Sequence, residues 1–203
     1  MITIIDYGMG NLGSIRNIIK KIGHQSEITA DKAVINKADK LILPGVGHFD
    51  KAMSNLQELG MIELLREKAA AGTPFLGICL GMQLLSNGSE EGVLPGLGII
   101  PGQVKKFDIA PGLKVPHMGW NLVDYKKDNL LYSGFDVFEE TRFYFVHSYH
   151  FVCDHEENIS GTTIYDKPFT SSVQKGNVQG AQFHPEKSHK YGLLLLKNFI
   201  EKY

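Results

Sequence analysis

The chain has 203 residues, with 21 lysines and arginines against 22 aspartates and glutamates and a formal net charge of -1. That balance gives no global field for nucleic acid or an anionic membrane, and no stretch reaches the roughly 18 apolar residues of a transmembrane helix. Two cysteines, Cys79 and Cys153, are too few for a disulfide framework and fit a reducing compartment, so a cytoplasmic location is expected.

In chain order, residues 2–5 read as an apolar strand and 14–22 as a helix with Ser14 at its N-cap. Residues 40–43 form a second strand ending at Pro44, 48–59 and 61–71 are helical, and Gly72 stops the latter. Residues 74–78 read as a buried strand and 80–85 as the helix after it. This alternation predicts an α/β fold with an open, mainly parallel sheet flanked by helices. Further on, 142–152, 159–165, 169–174 and 178–183 read as strands of an antiparallel extension, and 191–201 as a last helix. Without repeats, linkers or low-complexity tracts, residues 1–203 are expected to form one domain.

Three segments carry chemistry. In TPFLGICLGMQLL, residues 73–85, a strand runs into Gly77, Cys79 and Gly81 and a helix follows at once. This has the logic of a nucleophile elbow: small neighbours permit a sharp turn that presents the cysteine above the sheet. The helix start favours thiolate, and Leu80 N–H is placed for an oxyanion. The alternative is a buried cysteine at a strand end. In QFHPEKS, His184 and Glu186 are two residues apart, which on an extended segment projects them to one side. They can serve as base and orienting acid, against the plainer reading of an incidental surface turn. In LILPGVGHF, Gly45 and Gly47 let backbone N–H groups approach a substrate, and no Lys-Ser/Thr follows to make a phosphate loop.

Two segments invite other readings. Gly8, Gly10 and Gly13 spell G-x-G-x-x-G after the first strand, with Glu27 downstream, as in dinucleotide sites. HSYHFVCDH, residues 147–155, is rich in metal-ligand types. On one continuous strand His147 and His150 face opposite ways, Cys153 lies far along, and the spacing departs from zinc patterns. No metal is expected.

Taken together, the strand-PGVG, GICLGMQLL and QFHPE segments resemble the class I (triad) glutamine amidotransferases. With DYGMGNL, PHMGWN (116–121) and YFVHSY (144–149), the likeness over the whole chain is to the glutaminase subunits of histidine biosynthesis, a flavodoxin-like group. The resemblance implies that Cys79 forms a glutamyl thioester with glutamine, His184 acts as base and acid, and Glu186 supports it. Leu80 and the Gly45-Val46-Gly47 loop would supply oxyanion donors, while Gln83 and the Ser148–Tyr149 backbone would hold the substrate's amino-acid end. Ammonia would pass to a (β/α)8-barrel synthase subunit that makes imidazole glycerol phosphate, docked near Asn11, Met118, Trp120, Tyr144 and Lys187. The first glycine loop then reads as a docking loop rather than a site for NAD or FAD, and no cofactor is expected. Similar paralogues feed sugar-modifying synthases of surface-polysaccharide pathways. A thiol hydrolase or a non-catalytic regulator on the same fold is the alternative of another class.

Overall fold

In the computed structural model, which describes residues 1–203, strands and helices alternate through the first half. They are β1 (Ile2–Ile5), α1 (Leu12–Lys21), β2 (Ser26–Thr29), α2 (Lys32–Asn36), β3 (Lys40–Gly45), α3 (Phe49–Glu58), α4 (Ile62–Ala70), β4 (Phe75–Cys79) and the short α5 (Leu80–Gln83). The second half holds β5 (Gly88–Ser89), β6 (Gly102–Lys106), β7 (His117–Leu122), β8 (Asp124–Tyr125), β9 (Arg142–His147), β10 (Tyr149–Cys153), β11 (Ile159–Tyr165), β12 (Lys167–Lys175), β13 (Val178–Ala181) and α6 (His189–Lys202).

The large sheet runs β2-β1-β3-β4-β13-β12-β10-β6-β5. Neighbours from β2 to β13 are parallel. From β13 to β6 they are antiparallel, which is the extension. The inner parallel strands β1, β3 and β4 are covered on both faces, so they read as continuous apolar runs rather than alternating ones. Ile5, Leu41, Leu43 and Phe75 pack with Phe49, Leu56 and Leu65 of α3 and α4. Ile4, Ile42, Leu76 and Ile78 pack on the other face with Ile15 and Ile19 of α1 and Leu195 and Phe199 of α6. No helix is long and apolar enough to cross a membrane.

Several expected boundaries move. Helix α1 begins at Leu12, so its N-cap is Asn11 rather than Ser14, and no side chain caps it; burial of Ile15 and Ile19 outweighs the cost of a helical Gly13. Strand β3 continues through Pro44 to Gly45. Its ladder with β1 stops at Ile42, so the missing proline N–H costs no bond on that side. The expected helix over 80–85 is a four-residue turn: after Leu84 N donates to Leu80 O, the N–H groups of Leu85 and Ser86 donate only three residues back, to Met82 O and Gln83 O, and the Leu84 and Leu85 carbonyls accept from Leu97, Ile99 and Ile100. The expected single strand over 142–152 is broken at Ser148. Its first half, β9, leaves the large sheet and pairs with β7, with His117 opposite His147 and Trp120 opposite Tyr144.

Candidate active site at the strand ends

Cys79 is the last residue of β4, and its backbone (φ 54°, ψ -111°) lies in a region that costs a non-glycine residue about 1–3 kcal/mol. The surrounding structure holds it there. Gly45 pairs with Cys79 across the β3–β4 ladder. A Cβ at Gly45 would lie 2.7 Å from the Tyr7 hydroxyl and 2.9 Å from Gly81 N, and one at Gly81 would overlap the Leu43 carbonyl oxygen. The loop after β3 therefore packs directly on the elbow, and only glycine permits that approach. Because α5 has four residues, its dipole adds little to the thiol's environment.

Strand β13 delivers the other half of the site. After Ala181, Gln182 points its amide Nε2 to within 3.8 Å of Cys79 Sγ, and His184 follows on an extended backbone, its N–H donating to Tyr144 O at 2.9 Å. Residues Pro185–Lys187 do not stay extended as the two-residue spacing implied. They form a 3-10 turn with proline at its start, and this turn brings Glu186 Oε1 to 2.8 Å from His184 Nδ1 with both side chains almost fully buried. Nδ1 thus carries the proton shared with the carboxylate, while the buried Nε2 is left to face the Cys79 thiol. Burial by itself lowers the His184 pKa, but the hydrogen bonds and charges of Cys79 and Glu186 outweigh it and push it up to about 10.

These groups open on a cavity of about 320 Å3, lined by Val46, Gly47, Leu80, Gln83, Ser148 and Tyr149, and also by Glu91. Gln83 is already committed: its Nε2 donates to Tyr149 O and to Gln182 Oε1, both at 3.0 Å. It braces the wall. Ser148 O accepts from Phe107 N and Tyr149 O from Gln83 Nε2, so the strand break at 148–149 spends its carbonyls inside the protein. Two further residues went unread in the sequence. Glu91 stands in a short polar run with no periodicity to mark it. Tyr7 donates its hydroxyl to Pro44 O at 2.7 Å beneath the PGVG loop, and its pKa is raised by burial and by the nearby Cys79.

Other expected positions fall elsewhere. Met118 and Trp120, on β7, are 61% and 45% exposed. Trp120 lies edge-on to Tyr144 (6.2 Å) and His189 (5.4 Å), and Lys187 Nζ sits 5.8 Å over the Tyr144 ring. Asn11 is exposed at the start of α1, which packs against the Pro185–Lys187 turn. Gly10 serves packing: a Cβ there would lie 3.1 Å from Pro44 Cβ, so the first loop rests on the PGVG segment.

The face argument for His147 and His150 fails because the strand breaks at Ser148, and both rings gather around Phe107. The nitrogens of His147 and its neighbour His117 have protein work, whereas His150 Nδ1 is buried without a hydrogen-bond partner. His147 Nδ1 donates to Tyr149 O at 2.8 Å, its Nε2 meets His117 Nδ1 at 3.0 Å, and His117 Nε2 meets Asn121 Nδ2 at 3.2 Å. Both imidazoles are held neutral, His117 at about 4 and His147 at about 3, chiefly by burial. Cys153 ends β10 half-buried against the core, and burial pushes its thiol up to about 12.

The imidazole glycerol phosphate synthase subunit HisH 2 of Methanococcus maripaludis is 55% identical over 203 residues, covering 100% of both chains. The subunit HisH of Sulfurimonas denitrificans is 53% identical, covering 99% of this chain and 98% of its own, and that of Moorella thermoacetica is 50% identical. Among solved structures, a crystal structure of a glutamine amidotransferase superposes with a TM-score of 0.75 at 19% identity, covering 99% and 98% of the two chains. The family profile described as glutamine amidotransferase class-I matches residues 3–203. With its cysteine elbow and histidine–glutamate pair at the strand ends, the chain belongs to the class-I glutamine amidotransferase family.

Proposed function

We propose that residues 1–203 form one glutaminase domain, the ammonia-producing subunit of a cytoplasmic imidazole glycerol phosphate synthase in histidine biosynthesis. The observation that carries this reading is the buried His184–Glu186 pair beside Cys79 on its elbow, in a chain 55% identical over its whole length to a subunit of that enzyme.

Cys79 Sγ, its proton taken by His184 Nε2, attacks the side-chain amide carbon of glutamine. The oxyanion is met by Leu80 N–H and by an N–H of the Gly45-Val46-Gly47 loop, each donor worth roughly 100- to 1,000-fold in rate. His184 returns the proton to the leaving nitrogen, releasing ammonia and leaving a glutamyl thioester. A water deprotonated by His184 Nε2 then attacks the thioester, and glutamate leaves as the returned proton restores the thiol. Glu186 stabilises the imidazolium formed in each half. In the cavity, the Glu91 carboxylate faces the substrate ammonium, the Ser148–Tyr149 backbone faces its carboxylate, and Gln83 holds that wall. The exposed Met118–Trp120 face, with Asn11, Tyr144 and Lys187, receives the (β/α)8-barrel synthase subunit, into which ammonia passes. The exposed segment 46–48, beyond the pinned Gly45, lets that partner complete the oxyanion site.

The test is glutamate release by the chain alone, with the synthase subunit, and with that subunit carrying its nucleotide ligand. Turnover rises with the liganded partner. Cys79→Ser in the assembled complex abolishes glutamine-dependent synthesis and leaves ammonium-dependent synthesis intact. Loss of both activities in an assembled complex overturns the reading, and equal turnover in all three states overturns the partner's completion of the oxyanion site.

A further inference from the structure

Glu91 reaches the cavity from a loop, and a loop carboxylate is only as well placed as what holds it. Behind it the loop is tied to the sheet edge. Ser89 Oγ accepts from Glu91 N at 3.1 Å, Glu90 N donates to Val104 O at 2.9 Å, and Glu90 Oε2 accepts from Lys106 N at 2.8 Å. In front it is tied to the first turn of α3. Glu91 Oε2 itself accepts from Phe49 N at 2.8 Å. One residue on, Asp50 reaches back: its two carboxylate oxygens accept from Val93 N, both at 3.0 Å, and Oδ1 also accepts from Leu94 N at 3.0 Å. The grip closes around Gly92, where any Cβ would overlap the Asp50 carboxylate. Val93, 92% exposed, has no packing of its own to hold the loop.

We infer that Asp50 is a positioning residue for glutamine recognition: by clamping the backbone at Val93 and Leu94 it sets the Glu91 carboxylate at the cavity mouth, where it meets the substrate ammonium. This rests on the reading of Glu91 given above. It also explains the glycine in Glu-Glu-Gly-Val, since a side chain at 92 would expel the clamp. The two N–H bonds hold the Asp50 carboxyl below the usual carboxylate range, so the clamp stays ionised while the enzyme works.

A loop that is merely structural would lose stability and turnover together on removal of Asp50. A positioning clamp loses glutamine affinity at nearly constant turnover. With the full chain assembled with its synthase subunit, Asp50→Ala raises KM for glutamine about tenfold while kcat stays within about twofold. Asp50→Asn, which keeps one accepting oxygen and preserves folding, gives a smaller rise, and Gly92→Ala acts in the same direction as Asp50→Ala. In a double-mutant cycle, Asp50→Ala adds nothing to the KM of Glu91→Gln, because both remove the same contact. Unchanged KM in Asp50→Asn and Gly92→Ala, a loss confined to kcat, or KM effects of Asp50→Ala and Glu91→Gln that multiply would overturn the inference. A normal KM in Glu91→Gln would instead overturn the reading of Glu91 on which it stands.

Discussion

Trp120 gives the sharpest test of the docking face. Its ring is held edge-on by Tyr144 and His189 yet leaves 45% of the residue exposed. A tryptophan side chain buries up to roughly 250 Å2, so about 110 Å2 remains for a partner to cover, worth about 2.8 kcal/mol at ~25 cal/mol per Å2. Because its neighbours already fix the ring, little rotamer entropy opposes that gain. Trp120→Ala is therefore expected to weaken binding of the synthase subunit about a hundredfold, while the thermal midpoint of the isolated chain moves by only a few degrees. Isothermal titration of the two subunits measures the first and calorimetry the second. Leu59, 40% exposed at the far end of α3, is the control: Leu59→Ala leaves the affinity unchanged. Equal affinity in Trp120→Ala and wild type would refute the reasoning, as would a large loss of stability in the isolated chain, which would make the ring a core element rather than an anchor.

Lys187→Ala removes an exposed cation over Tyr144 and is expected to leave folding intact while lowering ammonia transfer in the complex, read as the ratio of synthesis to glutamate release. The His184 pKa is raised from 6.5 to about 10 by its partners, so the stability that the pair contributes is present below pH 6.5 and is lost as pH rises through about 10. Denaturant unfolding of wild type and Glu186→Gln should therefore show a gap that narrows between those limits. For His117 and His147 the sign is opposite. Their pKa values are depressed from 6.5 to about 4 and about 3, so stability is full above pH 6.5 and falls as acid protonates the unfolded chain first. A His117→Gln, His147→Gln variant should show a shallower loss of unfolding free energy between pH 6.5 and 4.

What could be read along the chain was what short-range chemistry dictates. Strands β1, β3 and β4 declare themselves as apolar runs because both faces are covered. The Gly-x-Cys-x-Gly turn and the His-Pro-Glu triplet carry their meaning in a few adjacent residues. Their apposition across 105 positions is another matter, since it needs β13 to lie beside β4 in the sheet. Ser148 shows the limit from the other side: 142–152 reads as one strand, yet pairing with β7 pulls its first half out of the sheet and undoes the face assignment of His147 and His150. Glu91 and Asp50 had no local signature at all, because a carboxylate in a polar run becomes part of a site only when the α3 terminus folds against it. Likewise the family resemblance implied docking near Met118 and Trp120, but only the tertiary structure decided the β7–β9 pairing that turns them outward. Local sterics and capping are settled within a turn or two of chain, whereas strand order, burial and the meeting of distant side chains follow from the packing of the whole core.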